Sequence, residues 1–516
     1  MSASPANSRQ ASGRSARSRL SQIAIGALAL AALGMASAQS ITIAISEGIQ
    51  GFDPAGNNRT VASTVYPNIF DALVHKDAAG NMVPGLATSW EPVDADSWRI
   101  VLREGVTWHD GQPFTAADVE FTLERIASTT ELARNVLFAH VTDVEVVNDH
   151  EVVIHTETPD PLMPGNLAAN GAQIVPKHYY ESAGVDAATV SPIGTGPYKF
   201  VEYRPDDRLV VEANADYWGG VPVYQQATFR VIGENTTSVS ELITGGVQIT
   251  GVDATDRQRV EDNASTRLII QPTNRVAHWT FNVSEDQVTS DPRVREAIDY
   301  AIDDALLLEI LQDGFGTPTR VRSSPADAFA PLQYYDTYLY DPERAQEILA
   351  EAGYEPGEVH ITLMGATSNA DQAELTATML EAAGFTTDIQ VFESSVWSST
   401  YWQTGEFTNM AAVGSSNSTF DYGNTLTDLM CPEGVHSFRS HWCHEEFSDL
   451  VRQANAEVDA ERRTELLNAA TEILLEERPQ VYMFNTVNFM GISNDVEFEA
   501  RADGHLLVFF ARPASN

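Results

Sequence analysis

The sequence predicts a mixed α/β fold, and three observations carry the prediction. Short runs of period-two apolar alternation recur along the chain, amphipathic helical stretches separate them, and one stretch reads strand, helix, strand in succession. Ile41-Thr42-Ile43-Ala44-Ile45 is the opening strand. Trp98–Leu102 followed by Gly105–Trp108 reads as a hairpin closed around Arg103-Glu104, ahead of an Asp110-Gly111 turn. Thr115 then precedes Ala116-Ala117-Asp118 in a capping-box pattern, with a helix continuing through Phe121 and Ile126. Val144–Val147 and Val152–His155 pair naturally around Asn148-Asp149.

Longer helices follow. Asp291-Pro292 opens one in which Val294, Ile298, Ala301 and Ile302 share a face. Asp341-Pro342 opens another, with Ala345, Ile348 and Leu349 inward and Gly353 as its stop. Arg462–Glu477 is a third, ending before Pro479. Glu358–Met364, a helix, and Thr387–Phe392 form the β-α-β unit.

The N-terminus reads as an export leader. Arg9, Arg14, Arg17 and Arg19 precede an apolar run from Ile23 to Leu33, too short to span a bilayer, and Ala36-Ser37-Ala38 supplies the small-residue cleavage pattern. Residues 1–38 are therefore expected to be a signal peptide, with the mature chain starting near Gln39 and no cysteine there for a lipid anchor. About 478 of the 516 residues remain, enough for two or three domains. Acidic residues outnumber basic ones 72 to 31, and only Lys76, Lys177 and Lys199 are lysines. A net charge of −41 repels nucleic acid and anionic lipid surfaces, which excludes both as partners. The acidic residues are spread along the chain, a pattern that suits a halophilic or marine surface screened by salt.

Cys431 and Cys443 lie in a chain expected to be exported, so a disulfide is the first reading. His436, His441 and His444 crowd the same stretch and leave a metal site as the alternative, although the Cys-x-x-Cys spacing of structural zinc is missing.

The chain resembles the extracytoplasmic solute-binding proteins of peptide/nickel-type ABC importers, family 5, which include dipeptide, oligopeptide, glutathione and nickel binders. The resemblance is carried by Gly51-Phe52-Asp53-Pro54, Val83–Trp90, Leu102–Gly111 and Phe114–Val119. It continues through Gly194–Tyr198, Asp216-Tyr217-Trp218, Asp291–Ala297, Tyr340–Ala345, and Trp442-Cys443 with Glu446-Phe447. It implies a two-lobed periplasmic binding protein fold of type II, with an extra inserted domain and a ligand cleft between the lobes. Lobe 1 would combine 40–68, 191–272 and 486–516, the inserted domain would be 69–190, and lobe 2 would be 273–485, with hinge crossings near Asn274 and Asn485. A monomer that hands a small molecule to a permease and ATPase complex is implied, with no cofactor. The fold would also permit a sensor docking on a chemoreceptor.

By the same resemblance, Ser46-Glu47-Gly48 after the first strand would contact the ligand from lobe 1. Trp279, Trp397 and Trp402 would supply aromatic wall from lobe 2; Trp397 and Trp402, five apart, need not share a helix face. Arg320 and Arg322 border the cleft in similar proteins, where they would hold a carboxylate or phosphate or else pair with neighbouring acids. Peptide binders of the family carry an aspartate that pairs with the ligand's α-ammonium. Here Asn417 or Ser418 falls at that place, and Asp421 is followed by Tyr422 instead of proline. Loss of that charge removes a bond worth roughly 1.5–3 kcal/mol, which disfavours a free-amine peptide and favours a sugar-, opine- or amino-acid-derivative-like ligand. Secreted hydrolases are the rival class, but the Gly-x-Ser-x-Gly elbow, His-Glu-x-x-His and a Walker loop are all missing from the sequence.

Overall fold

The structure is a computed structural model that describes residues 39–515 apart from 58, 59, 418, 433 and 502. The expected leader, 1–38, and the candidate Ser418 lie outside the described residues. Among the described residues no helix is long and apolar enough to cross a membrane.

An eleven-stranded sheet runs through the molecule. In order it contains Thr386–Phe392, His360–Ala366, Met410–Ser416, Thr266–Phe281, Gln480–Ser493, Ile249–Val252, Ser40–Ile45, Gln226–Val231, Arg208–Ala213 and Tyr198–Arg204, with Thr317–Pro318 beside Gln480–Ser493. Two members outrun the rest, Thr266–Phe281 with 16 residues and Gln480–Ser493 with 14. They pair antiparallel with each other, and each holds a different neighbour. Gln480–Ser493 pairs with Ile249–Val252 through its C-terminal part, whereas Thr266–Phe281 pairs with Met410–Ser416 from Arg275 onward. Between these zones the register shifts from Pro272 to Val276, where a proline can give no ladder hydrogen bond. Two half-sheets are thus joined by two strands with a break in the ladder between them.

Each half has its own core. Ile43, Phe52, Tyr66, Tyr198 and Phe229 pack on the half containing Ser40–Ile45, and Trp279, Phe281, Ile298, Leu363 and Phe484 pack on the other. A separate four-stranded sheet, Ala87–Asp94, Ser97–Leu102, Glu151–Thr156 and Val141–Asn148, packs with the helix Ala116–Ser128 around Trp108, Phe114 and Phe138. Tyr422, Trp442 and Phe447 centre a further cluster among the helices of the second half.

The local sequence signals mostly become the expected elements. Asp291 accepts from Arg293 N and caps Pro292–Ala301; Asp341 accepts from Arg344 N and caps Pro342–Ala352, which stops at Gly353 with φ 94°. The carboxylate of Asp118 accepts from Thr115 N at 3.0 Å at the head of Ala116–Ser128. The third long helix begins two residues before the expected Arg462, at Ala460, because Asp459 caps it through Arg462 N. His360–Ala366 and Thr386–Phe392 pair in parallel around the helix Ala370–Ala382, as a β-α-β unit does. The expected hairpin at Arg103-Glu104 is corrected. Both edges of Ser97–Leu102 are taken, by Ala87–Asp94 and Glu151–Thr156, so Gly105–Trp108 turns away and Thr107 bridges Pro113 instead.

Candidate ligand-binding cleft

The region where the half-sheets meet is built from strand ends. Ser40–Ile45 ends at Ser46, Glu47 and Gly48, of which Ser46 is exposed and the other two are half-buried. Gly48 has no side chain because the space is taken: a Cβ there would lie 3.1 Å from Tyr203 Oη. From the second half come the start of the 275–281 ladder and the end of Met410–Ser416, where Gly414 and Ser415 are half-buried and Ser416 is exposed.

Behind this strand end lies a buried polar network. Gln480 Nε2 lies 3.3 Å from His278 Nε2 and 3.2 Å from His436 Nδ1, and donates to Thr280 Oγ1 at 2.9 Å. Tyr482 donates its hydroxyl to Gln480 Oε1 at 2.9 Å. His278 Nδ1 sits 3.2 Å from its acceptor, Val276 O, so the proton belongs on Nδ1 and Nε2 is the acceptor that Gln480 needs. Burial, reinforced by Arg322, holds His278 down to about 3 and His436 well below the usual imidazole range. Both rings are therefore neutral at ordinary pH. Arg322 borders the network, donating to Thr425 O at 3.1 Å and to Asp428 at 2.8 Å, while its buried Nε has no partner among the described residues.

Trp397 and Trp402 do share a face, against expectation. Trp397–Trp402 is a π-helical turn, with Gln403 N donating to Ser398 O, and its wider winding brings residues five apart nearer to one face than an α-helix does. Their rings stack at 6.4 Å and 21°. Trp397 is buried against Met364 and Phe407, whereas Trp402 meets His436 edge-on at 5.0 Å and carries the Arg439 guanidinium over its ring at 4.7 Å.

Three other candidates sit elsewhere than expected. Trp279 is fully buried in the core of the second half, where its Nε1 donates to Thr376 Oγ1 at 3.3 Å; the unshifted ladder with Met410–Ser416 puts it on the face opposite His278, which joins the network. Arg320 donates to Asp299 at 2.8 Å in a narrow pocket shared with Arg478 and Tyr482. Asn417 spends its amide within its own segment: Nδ2 donates to Asp421 O at 2.5 Å and Thr425 Oγ1 at 2.7 Å, and Oδ1 accepts from Thr419 N at 2.9 Å. Asn274 at the ladder break donates to Asn417 O. Asp421 itself is locked bidentate to Arg463, 2.8 Å on each side.

Arg275 escaped the sequence reading, which offers no signal beyond its place one residue after Asn274. The strand Val74–Lys76, outside both half-sheets, meets the second half where the Lys76 ammonium, drawn down to about 8 by burial, lies 5.0 Å from the Phe420 ring. Nearby Asp327 is pushed up to about 7 by burial. A cavity of about 440 Å³ opens beside Lys76, walled by Trp218, Phe509, Arg501 and His505; no residue of 273–485 lines it, so it is not the space between the half-sheets. Cys431 and Cys443 form a disulfide. His444 caps the helix Glu445–Ala456 by accepting from Phe447 N, and among the described residues no group of three His, Cys, Asp or Glu could hold a metal.

Residues 81–432 match the family of bacterial extracellular solute-binding proteins, family 5, middle region. The chain belongs to this family. Family 5 proteins are transport components and not enzymes. Curated relatives of this family 5 protein include Glutathione-binding protein GsiB of Pectobacterium atrosepticum, 30% identical over 325 residues that make up 62% of each chain. The Dipeptide-binding protein of Escherichia coli K12 is 26% identical over 508 residues, 90% of this chain and 92% of that one. Among solved structures, the dipeptide binding protein of Pseudoalteromonas sp. SM9913 in complex with Met-Leu matches with a TM-score of 0.81 at 22% identity, covering 92% of this chain and all 100% of that one. NikZ of Campylobacter jejuni in complex with Ni(L-His) matches at 0.78 and 19% identity, covering 92% and 99%. These likenesses show the two-lobed fold.

Proposed function

We propose that this chain is the periplasmic capture component of an ABC importer, exported by a leader that ends near residue 38, and that it works as a monomer delivering a small solute to the permease. Lobe 1 is 40–68, 191–272 and 486–516, lobe 2 is 273–485, and 69–190 is the inserted domain. The observation that carries this reading is the pair of crossing strands with a ladder break at Pro272–Val276. Two half-sheets joined only there can rotate about the break, and a solute touching both lobes stabilises the closed form. The solute is peptide-like, an amino-acid or opine derivative, or sugar-like. The internal hydrogen bonds of Asn417 support a ligand other than a free-amine peptide, because that position has neither the charge nor a spare acceptor for an ammonium group. The dispersed acidic surface fits a saline habitat, where thermal stability rises between dilute buffer and molar NaCl.

Native mass spectrometry of protein purified without refolding tests the reading. A retained small molecule other than an unmodified dipeptide is expected. A retained unmodified dipeptide overturns the argument from Asn417, and a ligand hydrolysed during incubation overturns the transport role.

A further inference from the structure

Nearly every described arginine of this chain has a partner. Among the described residues, Arg320, Arg322, Arg463 and Arg478 hold carboxylates, Arg267 and Arg512 donate to backbone carbonyls, and Arg439 lies over Trp402. Arg275 has none of these, although the chain carries a net charge of −41. Among the described residues only Arg134, packed against Gly171, shares that state.

The place of Arg275 is specific. It is the first residue of the ladder between Thr266–Phe281 and Met410–Ser416, directly opposite Ser416 and therefore on the same sheet face. Its guanidinium lies across Gly414, the next residue on that face of the neighbouring strand, where a Cβ would stand 2.6 Å from Nη2. A side chain at 414 would push the guanidinium off the strand, so the glycine makes its berth. Arg275 is exposed, yet protein surrounds the guanidinium closely enough that desolvation draws its pKa below the ordinary arginine value. One side of the guanidinium is packed over Gly414, and the residue is open to solvent. No carboxylate among the described residues lies within ion-pair distance to neutralise it, and the charges that bear on the adjacent His278 are Arg322 and Arg275 itself. Ser416, opposite Arg275 in the ladder and exposed, also has no side-chain hydrogen-bond partner among the described residues.

We infer that Arg275, with Ser416 beside it, anchors a carboxylate group of the transported solute, so that the ligand is held by its acid rather than by an ammonium group at Asn417. This rests on the solute-capture reading above and names the ligand class within it. A planar guanidinium takes a carboxylate through two parallel hydrogen bonds, and one cation matches one negative charge. A doubly charged phosphate would leave half its charge unanswered on this wall. The carboxylate also supplies the neutralising partner that Arg275 lacks among the described residues.

The test is calorimetric titration with matched acid and amide pairs: N-acetyl-Met-Leu and its C-terminal amide, an N-(1-carboxyethyl) amino acid and its diamide, and glutathione and its diamide. At least one acid is expected to bind, with its amide about 10- to 100-fold weaker. Arg275→Gln should remove the same factor from the acid while leaving the amide unchanged, and Gly414→Ala, which displaces the guanidinium without removing it, should cost part of it. Circular dichroism and thermal melting of both variants show that they fold. An acid and amide that bind equally, or an Arg275→Gln variant with full affinity for the acid, overturn the inference while solute capture stands. Binding of neutral sugars with no acid binding overturns it as well. If no probe binds and native mass spectrometry finds nothing retained, the solute-capture reading fails and the inference falls with it.

Discussion

Arg320 Nη2 lies 2.8 Å from Asp299 Oδ2, and Arg478 Nε reaches the same oxygen at 3.0 Å. An arginine that sequence alone makes a candidate anion clamp is in this way already clamped, with its side chain 14% exposed and its partner's 11%. Arg320→Ala should lower stability by about 1–3 kcal/mol, the scale of losing a charged hydrogen bond while Arg478 still serves the carboxylate. Affinity for an acidic solute should not change. Chemical denaturation beside titration checks both halves, and a loss of affinity at unchanged stability would return Arg320 to the cleft.

Asn417 gives the second test. Its Nδ2 donates to Asp421 O and Thr425 Oγ1, and an aspartate would turn the donor facing Asp421 O into an acceptor. Asn417→Asp should therefore cost about 1–3 kcal/mol and should not create tight binding of a free-amine dipeptide. Melting curves with and without Met-Leu decide it; a variant that keeps its stability and binds the dipeptide contradicts the assignment of the amide.

The neutral histidines set the acid response. His278 is held down to about 3 and His109 to about 4, each chiefly by burial, from an ordinary 6.5. Between pH 6.5 and those values only the unfolded chain takes up the proton, so their stabilising contribution is complete above 6.5 and is lost as pH falls. Each group contributes a slope of about 1.4 kcal/mol per pH unit in that window. Asp327, raised to about 7, works the other way, and its contribution is lost as pH rises from 3.8 through 7. His278→Gln should flatten the stability curve between pH 6.5 and 4.5 by about one such slope. Parallel curves for the variant and the natural chain would mean that His278 titrates normally in the folded protein.

The disulfide closes a loop of sequence separation 12. Chain-entropy arguments put its contribution at about 3 kcal/mol, so Cys431→Ser with Cys443→Ser should lower unfolding free energy by that amount. Thiol titration of the denatured, unreduced protein should find none. Two free thiols would remove the bridge, and an unchanged midpoint in the double variant would remove its stabilising role.

What was legible in the sequence was legible because it is local. The caps at Asp291 and Asp341 act within three residues, and the β-α-β unit announces itself by its change of period. The failures are equally specific. Gly105–Trp108 looks like a hairpin partner until the edges of Ser97–Leu102 are seen to be occupied. Trp397 and Trp402 look unrelated at helical pitch, and a π-turn brings them into a stack.

Sequence by itself determined the α/β alternation and the family, since motif order and period are properties of the chain read in one dimension, while the structure settled the cysteines as a disulfide rather than a metal site. Only the tertiary structure decided which charged and aromatic groups remain available to a ligand. Trp279 faces the core because the sheet packs that face of its strand against the helices, Arg320 is claimed by Asp299 from the helix Pro292–Ala301, and Arg275, across from Ser416, is left without a carboxylate among the described residues. The physical reason is common to all three. A side chain's availability depends on what long-range packing places within about 3 Å of it, and residues far apart in sequence supply those neighbours.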